Sequence, residues 1–164
     1  MLSNELFNEI NAAYSRIEEK CSELCKILRH SGLNIEFGWY NDHYHKDESG
    51  QWAREAYPIP VIGVKGFCDI EIEFDRISVS SKLNHETALE YAYEKLTEYS
   101  FEAYGVEDYL ADYYHNGQPI QVLKENIAAC DEKEIGFSFY FAFDAQGEKI
   151  IELVRFIIAE GFYY

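Results

Sequence analysis

Glutamate recurs at every fourth position in one segment of the chain. The set consists of Glu86, Glu90, Glu94, Glu98 and Glu102. Residues four apart lie about one turn apart on an α-helix, so in a helix these carboxylates would form a single winding stripe. Like charges at this spacing repel by roughly 0.2 to 0.5 kcal/mol per pair. The pattern predicts either a solvated outer helix face or a surface that binds a basic partner.

A second row of acids alternates with apolar residues. The acids are Asp69, Glu71, Glu73 and Asp75, and the apolar residues between and before them are Cys68, Ile70, Ile72 and Phe74. Residues two apart on a β-strand point to the same side, about 6.8 Å from one another. This spacing suits a row of exposed charges better than two carboxyls that share a proton. We expect a strand with a solvated acidic side, or a further part of a partner-binding surface.

Tyrosine is concentrated in the same region as the glutamate series. The residues are Tyr91, Tyr93, Tyr99, Tyr104, Tyr109, Tyr113 and Tyr114. Tyrosine combines a large contact area with a polar tip, and it is enriched at protein interfaces. Core packing accounts for Tyr93 and Tyr109. Others, including Tyr91 and Tyr104, are candidates for a partner-binding role beside the glutamates.

Two histidines form an H-x-H pattern in a polar segment. His43 and His45 lie close to acidic residues at positions 42, 47 and 48. An extended H-x-H segment can place two imidazoles on one side, and nearby carboxylates can complete a site for a divalent cation. The segment also holds Trp52, which favours a recognition loop as the alternative. Histidines without any ligand role are a third interpretation.

Motifs that identify a reaction are missing from the sequence. There is no GxGxxG, GxxxxGK[ST], GxSxG, HExxH or CxxC pattern. The sequence therefore assigns no catalytic residue and no cofactor. Four cysteines, Cys21, Cys25, Cys68 and Cys130, are scattered apart from one C-x-x-x-C pair, and we expect buried, reduced thiols.

The net charge of the protein argues against some classes of binding partner. The 164 residues include 14 Lys and Arg against 30 Asp and Glu, a formal charge of −16. Nucleic-acid backbones and anionic lipids are repelled by such a field, and the Lys and Arg residues are scattered singly along the sequence. No apolar run approaches the roughly 18 residues that span a bilayer, and the N-terminus lacks a basic signal-peptide region. We expect a soluble, cytoplasmic protein without nucleic-acid or membrane partners.

The first half of the chain reads as a long helix followed by strands. Apolar residues recur every three or four positions from Leu2 to Leu28, and Ser31-Gly32 ends this helix. Alternation then predicts a strand at 33–40, a loop or wide hairpin connection at 41–55, and a strand at Ile59–Val64. The acidic row forms the next strand. Residues 77–83 continue the period as a fourth strand or an extension of the third.

Helices dominate the predicted second half. Asn84 caps a helix that carries the glutamate series as far as Gly105, and a shorter helix covers 106–114. A further helix is expected at 118–129, followed by a strand at 135–143. The final segment, 148–160, has its apolar residues on one side of a helical wheel. A strand paired with 135–143 is the competing interpretation of that segment.

Runs of strands followed by runs of helices are typical of α+β folds. We expect one globular domain over 1–164, with a long N-terminal helix, a mainly antiparallel sheet of four to five strands, and helices packed largely on one face. In size, acidity and lack of catalytic motifs the chain is similar to inhibitor proteins such as immunity proteins or antitoxins, a likeness of bulk properties rather than matching residues. The predicted function is an acidic protein-binding module with a basic protein partner.

Two alternatives to this function come from other classes. One is a metal-binding protein or metal-assisted hydrolase that uses His43 and His45. The other is a structural homo-oligomer whose interface would be the aromatic segment 162–164 together with the apolar last helix.

Overall fold

The computed structural model describes residues 4–40, 43–46, 48–55, 58–90, 93–107, 112–114 and 117–164. At residues 7, 40, 43–46, 52–55, 89–90, 93–94 and 112–114 it describes the backbone alone. The elements in chain order are α1 (Asn4–His30), β1 (Ile35–Tyr40), β2 (His43–Lys46), β3 (Trp52–Glu55), β4 (Ile59–Val64), β5 (Cys68–Ile72), β6 (Arg76–Asn84), α2 (His85–Glu90), α3 (Tyr93–Leu96), β7 (Ser100–Gly105), β8 (Asp112–Tyr114), α4 (Ile120–Ala129), β9 (Glu134–Ala142) and α5 (Gly147–Ala159).

The long N-terminal helix is confirmed. Ile17, Leu24 and Leu28 lie on the buried side of α1 and are at most 1 % exposed. The helix ends at His30, and Gly32 follows with a φ of +77°, a conformation that glycine adopts without steric cost.

Seven strands form the main sheet in the order β1-β4-β5-β6-β9-β7-β8, and neighbouring strands pair antiparallel. The last strand in the chain, β9, therefore lies between β6 and β7 and contacts both along its length. The α+β class, the long helix and the antiparallel sheet are confirmed. The expected count of four to five strands is too low, because β7 and β8 form where the sequence predicts helix.

The helix predicted from Asn84 to Gly105 is confirmed in the described residues at 85–90 and 93–96, and it is wrong from Ser100 onward. Asn84 caps α2 as expected, since its Oδ1 accepts a hydrogen bond from the Thr87 N–H at 2.7 Å. The helix ends at Glu90, α3 ends at Leu96, and β7 begins at Ser100. Ser100–Gly105 forms a strand instead of a helix because its pairing with β9 buries alternate residues of β7. The helix predicted at 106–114 is wrong at Asp112–Tyr114, which is strand β8, while positions 108–111 lie outside the described residues.

The predicted helix at 118–129 and the strand at 135–143 are confirmed by α4 and β9. The last segment is the helix α5 rather than the competing strand, because Ile150, Leu153, Val154 and Ile157 are buried at helical spacing. These residues join the buried residues of α1 and α4 in one core on one side of the sheet.

Aromatic rings fill the centre of this core. Phe101, Phe137, Phe139 and Phe162 are all at most 2 % exposed, and their ring centroids lie 5.4 to 6.2 Å apart. Tyr163 exchanges backbone hydrogen bonds with Lys82, at 2.8 and 3.0 Å. The aromatic segment 162–164 thus packs against its own chain, while Tyr164 remains 49 % exposed.

The segment at 41–55, expected as a loop or wide hairpin connection, contains the strands β2 and β3, which pair as a separate two-stranded sheet. All four cysteines are free thiols, and three of them are buried as expected. Burial raises the pKa of Cys68 to about 12, so this thiol stays protonated at neutral pH.

Within the described part of the chain, no helix has the length and apolar character that crossing a membrane requires.

Candidate functional site

Strand β5 separates acids from apolar residues as the alternation predicts. Cys68, Ile70 and Ile72 are completely buried in the core, whereas Asp69 and Glu71 are half-buried on the opposite side of the sheet. Glu73 lies just beyond the end of β5, and Asp75 is exposed in the connection to β6. Of the predicted acidic row, Asp69 and Glu71 therefore lie on the strand, whereas Glu73 and Asp75 lie in the connection that follows it.

The strand register extends this acidic side across the sheet. Asp69 lies opposite Ser80, which lies opposite Ser138, which lies opposite Glu102 of β7. The neighbouring row runs in the same way from Glu71 through Ser78 to Tyr140. Antiparallel partners point to the same side, so these rows share one surface. We call this surface the acidic sheet face and define it by Asp69, Glu71, Glu73, Glu102, Tyr104 and Tyr140.

Glu73 is held in place by two neighbours from β6. Its Oε2 lies 2.7 Å from Arg76 Nε, and its Oε1 accepts a hydrogen bond of 3.1 Å from the Ser78 hydroxyl. The Glu73 side chain is 13 % exposed. The guanidinium of Arg76 also lies over the ring of Tyr140, 4.5 Å from its centroid. Arg76 thus fixes an acid and a tyrosine of the face at once.

Both tyrosines of the face are fixed by contacts across the sheet. Tyr140 donates its hydroxyl hydrogen to Glu102 Oε2 at 3.0 Å. Burial, with the charge of Glu102 added, raises the pKa of Tyr140, so the phenol remains a donor. The ring of Tyr104 covers Gly136, where a Cβ would overlap it. Burial also raises the pKa of Tyr104.

The carboxyl of Glu71 on the acidic sheet face has a perturbed pKa. Burial is the main cause that raises this pKa to about 7; the charges of Glu73 and Asp69 contribute in the same direction, and Arg76 opposes them. The carboxyl therefore changes charge in the physiological range, which an ordinary glutamate does not do. A cation brought to this face would favour the charged form of Glu71 and lower its pKa.

The helical glutamate stripe is not formed, because its members lie on different elements. Glu86 is exposed in the first turn of α2, Glu98 is exposed after α3, and Glu102 belongs to β7. Glu90 and Glu94 lie on α2 and α3, and their side chains fall outside the described part, as does Tyr91. Of the predicted binding residues, the sheet brings together Asp69, Glu71, Glu73, Glu102 and Tyr104.

Sequence reasoning did not include Tyr140 in the site. The signal was present, because Tyr140 alternates with Phe139 and Phe141 in a predicted strand, which places it on the side away from Phe139. The sequence does not predict that β9 pairs with both β6 and β7. This pairing places Tyr140 between Arg76 and Glu102.

The metal prediction at His43 and His45 lies outside the described side chains, since β2 is described by its backbone alone. Among the residues whose side chains are described, no group of three or more His, Cys, Asp or Glu is arranged to hold a metal ion. The metal site stays a prediction.

Comparisons with known proteins support the fold. A scan against protein-family models and a search of the curated proteins gave no match. A solved structure of a conserved hypothetical protein from Pyrococcus furiosus is similar, with a TM-score of 0.73 and 21 % sequence identity. The likeness covers 94 % of this chain and 95 % of the other. At this level of identity it shows a shared α+β fold.

Proposed function

We propose that the chain is a protein-binding module of the inhibitor or antitoxin type, whose acidic sheet face binds a basic surface on a partner protein. One observation supports this above all others. Four carboxylates from β5, its end and β7 share one side of the sheet with two ordered tyrosines, away from the aromatic core.

The two kinds of residue have different roles in the proposal. The carboxylates attract a basic partner during the encounter, which raises the association rate at low salt. Tyr104 and Tyr140 supply large, rigid contact areas at little entropic cost, because their rings are already ordered by Gly136 and Arg76. An ordered acidic surface of this kind can cover a basic active site and so inhibit its owner.

Salt dependence and face-specific substitution test the proposal together. Immobilised wild-type protein, a Glu71→Gln and Glu102→Gln variant, and a Glu86→Gln and Glu98→Gln control are used to capture proteins at low salt. At pH 8, where Glu71 is charged, each pair removes the same formal charge, but Glu86 and Glu98 lie off the acidic sheet face. We expect a basic protein retained by wild type and control and lost from the face variant.

The captured protein is then purified and its kinetics are measured. The association rate constant should fall at least tenfold between 20 and 200 mM salt, as steering requires. Antitoxin character predicts that co-expression of the chain relieves growth inhibition by the partner. A salt-independent association rate, or equal losses from both double variants, would contradict the proposal.

The pKa of Glu71 gives an independent test of the same surface. Binding a cation favours the charged carboxylate, so complex formation should release a proton from Glu71 when the buffer pH is at or below 7. Affinity should therefore rise between pH 6 and pH 8, and this rise should disappear in Glu71→Gln. Calorimetry in two buffers of different ionisation enthalpy measures the released proton.

A further inference from the structure

A groove of about 680 Å³ lies at the sheet edge on the core side, away from the acidic sheet face. One wall is the side of α1 that carries Cys21 and Cys25, and the other is formed by Phe37 and Trp39 of β1. Pro60 of β4 also lines it. Its volume is within the range of pockets that hold small ligands or peptide side chains.

The strand wall of the groove is apolar and accessible. Phe37 is 50 % exposed and Trp39 is 47 % exposed, and the two rings pack edge to face with centroids 5.7 Å apart. Large exposed aromatic side chains that share a concave surface are typical of interaction sites.

Strand β1 is also one of the two edge strands of the main sheet as far as the chain is described. The Asn34 carbonyl accepts a hydrogen bond from the Lys65 N–H at 3.1 Å, so Asn34 directs its backbone groups toward β4. Backbone direction alternates along an antiparallel strand, so Phe37 and Trp39 direct their N–H and C=O groups away from β4. Phe37 and Trp39 thus combine side chains that line the groove with backbone groups that point away from β4.

Charge is distributed unevenly around the groove. Lys26, Arg29 and His30 lie at the end nearest the C-terminus of α1, while Glu18 lies about three turns earlier. The His30 ring nitrogen Nδ1 is 2.7 Å from the Lys26 carbonyl oxygen, which holds the imidazole beside the two cations. In a chain of net charge −16, this local group of cations complements an acidic ligand.

The helix wall is apolar despite its thiols. Burial raises the pKa of Cys21 to about 12, with the neighbouring Cys25 adding to the effect. The Cys21 thiol thus faces the groove as a small hydrophobic group at neutral pH.

We propose that this groove binds an extended acidic peptide, which adds to the edge of β1 as a further strand. Alternate apolar side chains of the peptide enter the space between Phe37, Trp39 and the helix, and its acidic groups meet Lys26 and Arg29. An extended peptide fits these features better than an anionic amphiphile, because an alkyl chain leaves the outward backbone groups of β1 unmatched. This binding mode is independent of the acidic sheet face.

The test begins with selection of random octapeptides displayed on phage against the full-length protein. We expect enriched peptides that alternate apolar residues with Asp or Glu. Binding of the synthetic peptides should weaken at least tenfold in a Lys26→Glu and Arg29→Glu variant. A Lys133→Glu and Lys149→Glu control, which makes the same charge change at exposed sites outside the groove, should bind like wild type.

Two further measurements keep the test decisive. If the Lys26→Glu and Arg29→Glu variant loses its helical circular dichroism signal, a neutral variant with Lys26→Gln and Arg29→Gln is used in its place. Hydrogen exchange followed by NMR should show new protection of the Phe37 and Trp39 amides in the peptide complex. Protection of these amides is specific to strand addition, because a purely ionic contact leaves them open to solvent.

Dodecanoate serves as the competing probe, with Trp39 fluorescence read in a Trp52→Phe background. The proposal is overturned if no peptide is enriched, if binding is unaffected by the Lys26 and Arg29 substitutions, or if the two amides stay unprotected. It is also overturned if dodecanoate binds the groove while no enriched peptide displaces it, because the site then holds an anionic amphiphile.

Discussion

The two sides of the main sheet differ in burial and charge, although the same strands supply the residues of both. On β9, Phe139 is completely buried among other rings, while the next residue, Tyr140, is half-buried beside Arg76 and Glu102. On β5, Ile70 is buried in the core and Glu71 is half-buried with a raised pKa. Buried apolar atoms on the core side stabilise the fold, whereas the half-buried charge of Glu71 on the acidic sheet face destabilises it. Removing a side chain should therefore destabilise on one side and can stabilise on the other.

The largest effect is expected for Phe139→Ala on the core side. Its ring contacts Tyr99, Phe101, Phe137 and Phe162 with centroid separations of 5.8 to 6.2 Å. Loss of this ring leaves a cavity and should lower the free energy of unfolding by about 4 kcal/mol, measured by urea denaturation.

Phe37→Ala is the matched control for Phe139→Ala, because Phe37 lies on the same side of the sheet but is 50 % exposed. Its cost should stay below about 1 kcal/mol. Similar losses at both positions would mean that burial does not distinguish the core from the sheet edge.

Glu71→Gln should have the opposite sign. The native pKa of about 7 is above the value of 4.5 for an ordinary glutamate, so between these values the folded state binds more protons than the unfolded state. Wild-type stability should accordingly fall as pH rises from 4.5 to 7. Glutamine cannot ionise, so the variant should be more stable than wild type at pH 8 by on the order of 1 to 2 kcal/mol, less than full linkage because Glu71 keeps some solvent contact.

The pH profile distinguishes this mechanism from a general effect of charge removal. The difference between Glu71→Gln and wild type should vanish near pH 4.5, where Glu71 is protonated in the folded state. Glu98→Gln, at an exposed position, is the control and should change stability little at either pH. A variant less stable than wild type at pH 8 would show that the charged carboxylate has a stabilising partner.

Apart from the two controls, the smallest effect is expected for Tyr140→Phe. The substitution removes the 3.0 Å hydrogen bond to Glu102 but keeps the ring under Arg76. A cost of about 1 kcal/mol is expected for one hydrogen bond to a carboxylate that retains water access. Thermal denaturation at pH 7 measures it, and a loss as large as that of Phe139→Ala would place Tyr140 in the core instead of on the face.

The core side of the sheet could be predicted well from the sequence. Cys68, Ile70 and Ile72 alternate with acids, and Phe137, Phe139 and Phe141 alternate with smaller or polar residues, so the direction of each side chain follows from local spacing. The helical spacing of Ile150, Leu153 and Val154 likewise predicts α5. In these segments, local pattern and tertiary packing agree.

The candidate site was predicted only in part, because it depends on pairing between distant segments. Ser100–Gly105 carries Glu102 within a helical four-residue series and also Phe101 and Ala103 at strand spacing. The pairing of β7 with β9 decides between these patterns, and no local signal in β7 specifies it. The sequence therefore predicts Glu102 as a binding residue, which stays a prediction, but it places the residue on a helix instead of on β7.

The central position of β9 has a consequence for synthesis of the chain. Strands β4 to β6 can pair as a meander early, and β7 can pair with β8. In the sheet that the described residues form, β9 is the strand that joins the two groups. Until residues 134–142 leave the ribosome, the nascent chain has open edges at both β6 and β7. Unpaired edges of this kind recruit other strands, so we expect a need for chaperone protection that ends when β9 inserts.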